Sequence, residues 1–317
     1  DTSFHRHASR QAALFLGQPI SFRTIDEQSV ALGAWLQSRG LARGRTALLL
    51  LHGFPQTHAL WNRVARHLQQ DFYLVMPDLR GYGDSGKPRG LEDHSNYSFR
   101  RMGLDQVEVM QHLGFKEFCV AGHDRGGRTA MRMALDHPDK VKKLATFDIL
   151  PTHHVLTHTT WQWALNSYHW FFMAQPYDIP EKLMEGKEDY YILNKLTKMG
   201  IGKGGFSKET LAEYARCCTP ENLHGVCEDY RAAVTVDMAM DTEDFEAGRM
   251  VECPTAIYWG EKSHTNRFFD PYKAWPQYCA AIERMMPLPC GHYPAEQVPD
   301  QVVAVGDDAM EIGRAHV

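Results

Sequence analysis

Short apolar runs punctuate the chain at residues 47–51, 72–76, 118–121, 144–149 and 255–259. Each is continuous rather than alternating, which suits parallel strands covered on both faces. Val30, Leu32, Ala34 and Leu36 alternate with other residues instead, the pattern of a half-exposed strand. Between the runs the spacing turns helical. Leu104, Val107, Val109, Met110 and Leu113 recur at near-helical intervals before Gly114, a C-terminal cap. A second helix over 128–136 ends at His137-Pro138, because proline disfavours helix in the residue before it. The run 285–288 supplies a last strand. This alternation predicts an α/β fold, a mostly parallel sheet flanked by helices.

The pattern breaks from about residue 151 to about 249. Trp161, Trp163, Tyr168, Trp170, Phe171 and Phe172 crowd one stretch, and Leu211, Tyr214 and Ala215 keep helical spacing further on. Sheet-like sequence resumes at 251–260. The expected organisation is a core over 1–150, an inserted helical cap domain over 151–250 lying across the strand ends, and the rest of the core over 251–317. The tail from about residue 311 reads as foreign to the fold and is given no role. Lys203-Gly204-Gly205 is too short for a phosphate loop and reads as a turn in the cap.

Composition narrows the classes. Hydrophobic residues make up 44% and charged residues 23% of the 317, and 34 basic against 39 acidic side chains leave a net charge of −5. That balance gives no electrostatic reason to expect nucleic acid or an anionic membrane as partner. The longest aliphatic run, Ala47–Leu51, falls far short of the ~20 residues that span a bilayer. Seven cysteines, an odd number without paired spacing, imply no disulfide framework but reduced, mostly buried thiols. A reducing, cytoplasmic setting is the default, although a targeting segment ahead of Asp1 stays open. Seventeen histidines raise the question of a metal. His153, His154 and His158 lack a His-Glu-x-x-His pattern or a clustered acid, so no metal and no cofactor is expected.

The chemistry centres on Gly122-His123-Asp124-Arg125-Gly126, which follows an apolar run and precedes a helix. With serine in the middle this turn is the nucleophile elbow of α/β-hydrolases. Here the raised group is the Asp124 carboxylate, which attacks carbon to leave an enzyme ester, as in halide displacement or epoxide opening. Such a nucleophile needs a base to activate water and an acid to orient the base. The order Asp124, Asp148, His292 fits, with Glu261 after Trp259-Gly260 a rival for the acid. The loop His52-Gly53-Phe54-Pro55 offers the backbone N–H of Phe54 to an oxyanion hole, with that of Arg125 as the second donor.

Arg125 and Arg128 are three residues apart and share one face of the first helical turn. An anionic substrate about 4 Å from Asp124 is repelled by roughly 4 kcal/mol at an effective dielectric near 20. Two guanidinium groups reverse that, since charged hydrogen bonds contribute about 1.5–3 kcal/mol each. They also keep Asp124 ionised. Alternatively, Arg128 makes only a surface ion pair.

With those residues in place, residues 48–300 resemble the haloacetate (fluoroacetate) dehalogenases of the α/β-hydrolase superfamily. The likeness rests on His52-Gly53-Phe54-Pro55-Gln56-Thr57-His58, Asp78-Leu79-Arg80-Gly81-Tyr82-Gly83-Asp84-Ser85 and the segment from Gly122 to Arg128. Asp148-Ile149-Leu150-Pro151-Thr152, Tyr168-His169-Trp170, Glu228-Asp229-Tyr230-Arg231-Ala232 and Gly291-His292 match as well. The resemblance implies an α/β-hydrolase fold and a small halogenated carboxylate as substrate. Asp124 would attack the halogen-bearing carbon while Arg125 and Arg128 hold the carboxylate. His169, Trp170 and Tyr230 would donate hydrogen bonds to the leaving halide, and His292, oriented by Asp148, would activate water. Assembly as a homodimer is a further implication.

Two positions depart from the family pattern. His153 stands where tyrosine is usual, and Lys198-Met199-Gly200 stands where a cap tryptophan is expected; both are assigned to the pocket wall or its entrance. Epoxide hydrolase is the rival activity, though it normally carries tryptophan where Arg125 stands, with two cap tyrosines. A neutral haloalkane has no use for two arginines, and a serine esterase needs serine at 124. A catalytically silent ligand-binding protein on this fold is the alternative from another class, and it would have no need of His292.

Overall fold

A computed structural model describes residues 11–15, 18–21, 46–197 and 205–310. The alternating segment 30–36, the Lys198-Met199-Gly200 stretch, Lys203-Gly204 and the tail 311–317 lie outside the described residues. The chain forms two units, residues 1–45 and 46–317. In the first, β1 (Gln11–Phe15) pairs antiparallel with β2 (Gln18–Ser21).

The second unit is built on six parallel strands: β3 (Ala47–Leu51), β4 (Tyr73–Val75), β5 (Phe118–His123), β6 (Val141–Phe147), β7 (Thr255–Gly260) and β8 (Ile282–Leu288). Their order is β4-β3-β5-β6-β7-β8. Side chains alternate between two cores, as strand geometry requires. Leu49 and Leu51 of β3 with Ile257 and Trp259 of β7 join one core, while Leu48, Leu50, Ala256 and Tyr258 join the other. This two-sided burial explains the continuous apolar runs, and truncating one such leucine to alanine costs about 2–5 kcal/mol.

Three strands differ from the sequence expectation, among them β8, which spans Ile282–Leu288 rather than 285–288. β6 spans Val141–Phe147 rather than 144–149; Lys142 and Lys143 hide its start, and the positive φ of Asp148 ends it. β4, expected to be covered on both faces, is only half-buried because it lies at the sheet edge. The helix expected from 128 begins at Arg125. Helix Phe99–His112 ends ahead of Gly114, whose φ of 87° matches a left-handed cap.

Between β6 and β7 the described chain is helical, from Thr152–Thr157 to Met238–Glu246. Local sequence sets the helix starts. The side chains of Thr160, Ser207 and Thr219 accept hydrogen bonds from the backbone N–H groups of Trp163, Thr210 and Asn222, and Pro220 follows Thr219 at the first helical position. Among the described residues no helix is long and apolar enough to cross a membrane.

Topology then places the site. From β3 the chain crosses to β4 on one side and then back past β3 to β5 on the other, so the strand order reverses between β3 and β5. Ligands in open α/β sheets bind outside the carboxyl ends of strands at such a reversal. The register there aligns Leu51 with Gly122 and His123 with Phe147. The residues that follow each strand, His52-Gly53-Phe54, Asp124 and Asp148, therefore emerge together.

Candidate active site

β5 ends at His123, and Asp124 turns the chain into helix Arg125–Asp136 with φ 48° and ψ −119°. For a non-glycine residue that conformation costs on the order of 1–3 kcal/mol and needs surrounding support. Close packing supplies it. A Cβ on Gly122 would lie 2.4 Å from the Gly126 carbonyl oxygen, and one on Gly126 would lie 2.3 Å from that of His52. Only glycine at both positions lets the elbow fold back against itself and the β3 loop. Asp124 thus stands at a helix N-terminus, where the backbone dipole favours an anion.

Three elements bring acid, base and nucleophile together. His292 Nδ1 donates to Asp148 Oδ2 at 2.6 Å, while Asp148 Oδ1 accepts from the Gly260 N–H at 2.9 Å. His292 Nε2 lies 3.9 Å from Asp124 Oδ2. The loop carrying His292 is pinned on both sides. Its carbonyl accepts from His123 Nε2 at 2.6 Å, and Gln297 Oε1 accepts from the N–H of Gly291 at 2.8 Å. The Phe54 N–H donates to Asp124 Oδ1 at 2.9 Å. Glu261, the rival acid, is exposed; Asp148 holds the histidine.

Burial alone would lower the basicity of His292, but the hydrogen bond and charge of Asp148, with the charge of Asp124, outweigh it and raise its pKa. Burial pushes the Asp124 pKa up, and the charges of His292, Arg128 and Arg125 pull it further down, so the net shift is downward. Asp148 is likewise lowered, against the effect of its burial, by its bond to His292. Both carboxylates are therefore ionised at neutral pH. His123 is held near 4 by burial and the neighbouring His292, which leaves it neutral.

The two arginines separate. Arg128 lines the cavity beside Asp124. Its Nη1 donates to the Leu150 carbonyl at 2.7 Å and to Thr152 Oγ1 at 3.0 Å, its Nε is buried without a partner, and its guanidinium lies 4.6 Å from the Trp170 ring centre. Burial brings its pKa down to about 10, still a cation at neutral pH. It is buried rather than paired at the surface. Arg125 is fully enclosed, with Nε donating to Asp229 Oδ2 at 2.8 Å and Nη2 to the Asp229 carbonyl at 2.8 Å and to Oδ1. Its Nη1 is buried and unpaired.

The cavity encloses about 30 Å³, room for only a very small molecule, since one water needs ~10–15 Å³ on this measure. Asp124, Arg128, His169, Trp170 and His292 all face it. Tyr230 and Arg125 are not on its wall. Tyr230 packs edge-on against Phe54, His169 and Trp170, with ring centres 5.5–6.0 Å away. His153, assigned from sequence to the pocket wall or entrance, is not on the wall of this cavity; its Nδ1 lies 2.8 Å from the Tyr278 hydroxyl. Sequence reasoning missed Trp163 and His264, which line the cavity, His264 stacking on His292 at 5.2 Å. Nothing in their local sequence marks them. Asp229 was missed as a partner of Arg125, although it adjoins Tyr230 in a matched block.

These features have counterparts in known proteins. The alpha/beta hydrolase fold family model matches residues 46–189. A fluoroacetate dehalogenase from Burkholderia sp is 43% identical over 86% of this chain and 89% of its own length. A soluble epoxide hydrolase from Corynebacterium sp. (strain C12) is 30% identical over 81% of this chain and 87% of its own. A Nostoc sp PCC 7120 structure described as an alpha/beta hydrolase superposes with a TM-score of 0.82 and 43% identity, covering 86% of this chain and 93% of that one. The chain belongs to the α/β-hydrolase family, in the branch that includes the Burkholderia dehalogenase.

Proposed function

We propose that this enzyme hydrolyses the carbon–halogen bond of haloacetates, giving glycolate and halide through an ester on Asp124. The observation that carries the reading is a carboxylate raised on the elbow, facing a small cavity beside an arginine whose hydrogen bonds go only to neutral oxygens. Arg128, on the cavity wall, serves the substrate carboxylate; Arg125, off that wall and paired with Asp229, would reach it only through its unpaired Nη1. Asp124 Oδ2 attacks the halogen-bearing carbon; the carbon–oxygen bond forms as the carbon–halogen bond breaks, and the halide leaves with its electron pair. His169 and Trp170, on the cavity wall, stabilise the charge developing on it, with Tyr230 packed against both rings. His292 then takes a proton from water, whose oxygen attacks Cγ of Asp124. Negative charge builds on Oδ1, the atom that accepts from Phe54 N–H; the N–H of Arg125 is the second donor. Collapse expels the glycolate oxygen, which takes back the proton held by His292, and the carboxyl left on Asp124 gives the second water proton to solvent, restoring the carboxylate. The helical insertion between β6 and β7 acts as the cap.

A second reading, epoxide opening by the same triad, draws on the Corynebacterium relative. The two separate on products. Incubation with fluoroacetate and chloroacetate, followed by ion chromatography for halide and glycolate, is expected to show both; styrene oxide, too large for the cavity, is expected to be left intact. Diol formation without halide release would overturn the dehalogenase reading.

A further inference from the structure

Behind His169 lies a cation that the ester chemistry does not use. Lys195, on helix Glu188–Leu196, is buried, with its Nζ 2.9 Å from His169 Nδ1 and 4.2 Å from the centre of the Tyr168 ring. Among the described residues no acidic side chain offsets its charge; burial alone lowers its pKa, to about 8. A buried, unpaired ammonium is costly and needs a reason.

An ammonium can only donate hydrogen bonds. Its contact with Nδ1 therefore uses the lone pair of that nitrogen. Burial first, and Lys195 second, hold the His169 pKa well below its usual value, so the ring is neutral and carries its single proton on Nε2. The ring is fixed in place, stacked on Phe54 at 5.8 Å and edge-on to Tyr230 at 5.7 Å, and it lines the cavity. A lysine that merely reached for solvent would leave the tautomer free. Lys195 does border an outer groove shared with Lys262 and Arg267, yet its head group is tied to the imidazole.

We propose that Lys195 is a positioning residue: it fixes His169 as an Nε2–H donor to the departing halogen and sets a positive charge one ring behind it, favouring fluoride over larger halides. The proposal rests on the haloacetate reading. Fluoride is the poorest leaving group of the series and concentrates its charge in the smallest volume, so it gains most from a pre-aimed donor backed by a cation.

The test begins with the unmodified protein. The ¹⁵N shifts of the His169 imidazole are expected to report the Nε2–H tautomer, and an Nδ1–H ring there would overturn the proposal without any variant. Lys195→Met is then expected to give mixed tautomers. Its kcat on fluoroacetate should fall about 10- to 100-fold, the worth of one charged hydrogen bond, with a smaller loss on chloroacetate and little change in either KM. Equal losses on both acids, or none, would overturn it. If the unmodified protein releases no halide from either acid, the haloacetate reading fails, and the halogen's part with it. The tautomer still decides whether Lys195 positions His169.

Discussion

Arg125 and Asp229 form a fully buried pair in which two guanidinium nitrogens bind one carboxylate, and the Tyr82 hydroxyl adds a third bond to Asp229 Oδ2 at 2.7 Å. The charge of Arg125 is thereby balanced within the protein. Arg128 has no carboxylate among its hydrogen-bond partners, which are a carbonyl and a hydroxyl, and the anion acting most strongly on its charge is the nucleophile Asp124 itself. Attraction for an anionic substrate falls mainly to Arg128. Arg128→Gln is expected to raise KM for chloroacetate about 10- to 100-fold, the worth of a charged hydrogen bond, with a smaller effect on kcat. Steady-state kinetics check it, and an unchanged KM would remove Arg128 from substrate binding.

Asp229→Asn keeps the shape of the pair and removes its negative charge. Arg125 would then be a buried cation without compensation, which costs about 3–5 kcal/mol. Urea unfolding should show that loss at neutral pH. A loss below about 1 kcal/mol, the ceiling of a typical surface pair, would mean that the pair is not desolvated as described.

Asp148 and Glu261 make opposite predictions. Asp148→Asn should let His292 adopt the wrong tautomer and lower kcat by about 10³–10⁴. Glu261→Gln alters an exposed side chain and should leave kcat unchanged within twofold or so, because isolated surface changes carry little energy. The reverse outcome would reassign the orienting acid.

The legible part of this protein was local or periodic. The buried runs reveal β3, β5 and β7 because both faces of the sheet are covered, and the elbow is a five-residue pattern whose glycines answer to contacts of 2.3–2.4 Å. His292 could be placed by chain order, which left Asp148 and Glu261 as rivals until the hydrogen bond to His292 decided between them. Illegible were pairings between distant positions. Asp229 meets Arg125 across 104 residues and Lys195 meets His169 across 26, and no spacing rule connects such residues before the helices pack. Arg125 and Arg128 were treated as equals because helical spacing puts them on one face; packing against Asp229 divides them.

Replacing the base isolates the ester. In His292→Asn, attack by Asp124 is retained while water activation is lost, so one equivalent of halide should be released and the substrate's CH2COO⁻ group kept on the enzyme. Mass spectrometry of the peptide holding Asp124 should find that mass. Halide release without a retained adduct would point to direct displacement by water.

The pH dependence follows from the sign of the His292 shift. Burial lowers its pKa, and the Asp148 bond and the charges of Asp148 and Asp124 raise it by more, so the folded value lies above the ordinary 6.5. The base works only when neutral, so kcat should fall as pH drops through a value above 6.5. The stability linkage has the opposite sense. A raised histidine pKa adds stability that is fully present below 6.5 and lost as pH rises through the folded value. The lowered pKa values of Asp124 and Asp148 add stability above about 3.8 that is lost as pH falls through their folded values. Activity and the histidine's contribution to stability therefore trade against each other across the same interval. An NMR titration of the His292 Cε1 proton would locate it, and Asp148→Asn should bring the midpoint down, since the largest raising influence is gone. A midpoint that stays put in that variant would mean that Asp148 does not set the basicity of the catalytic histidine.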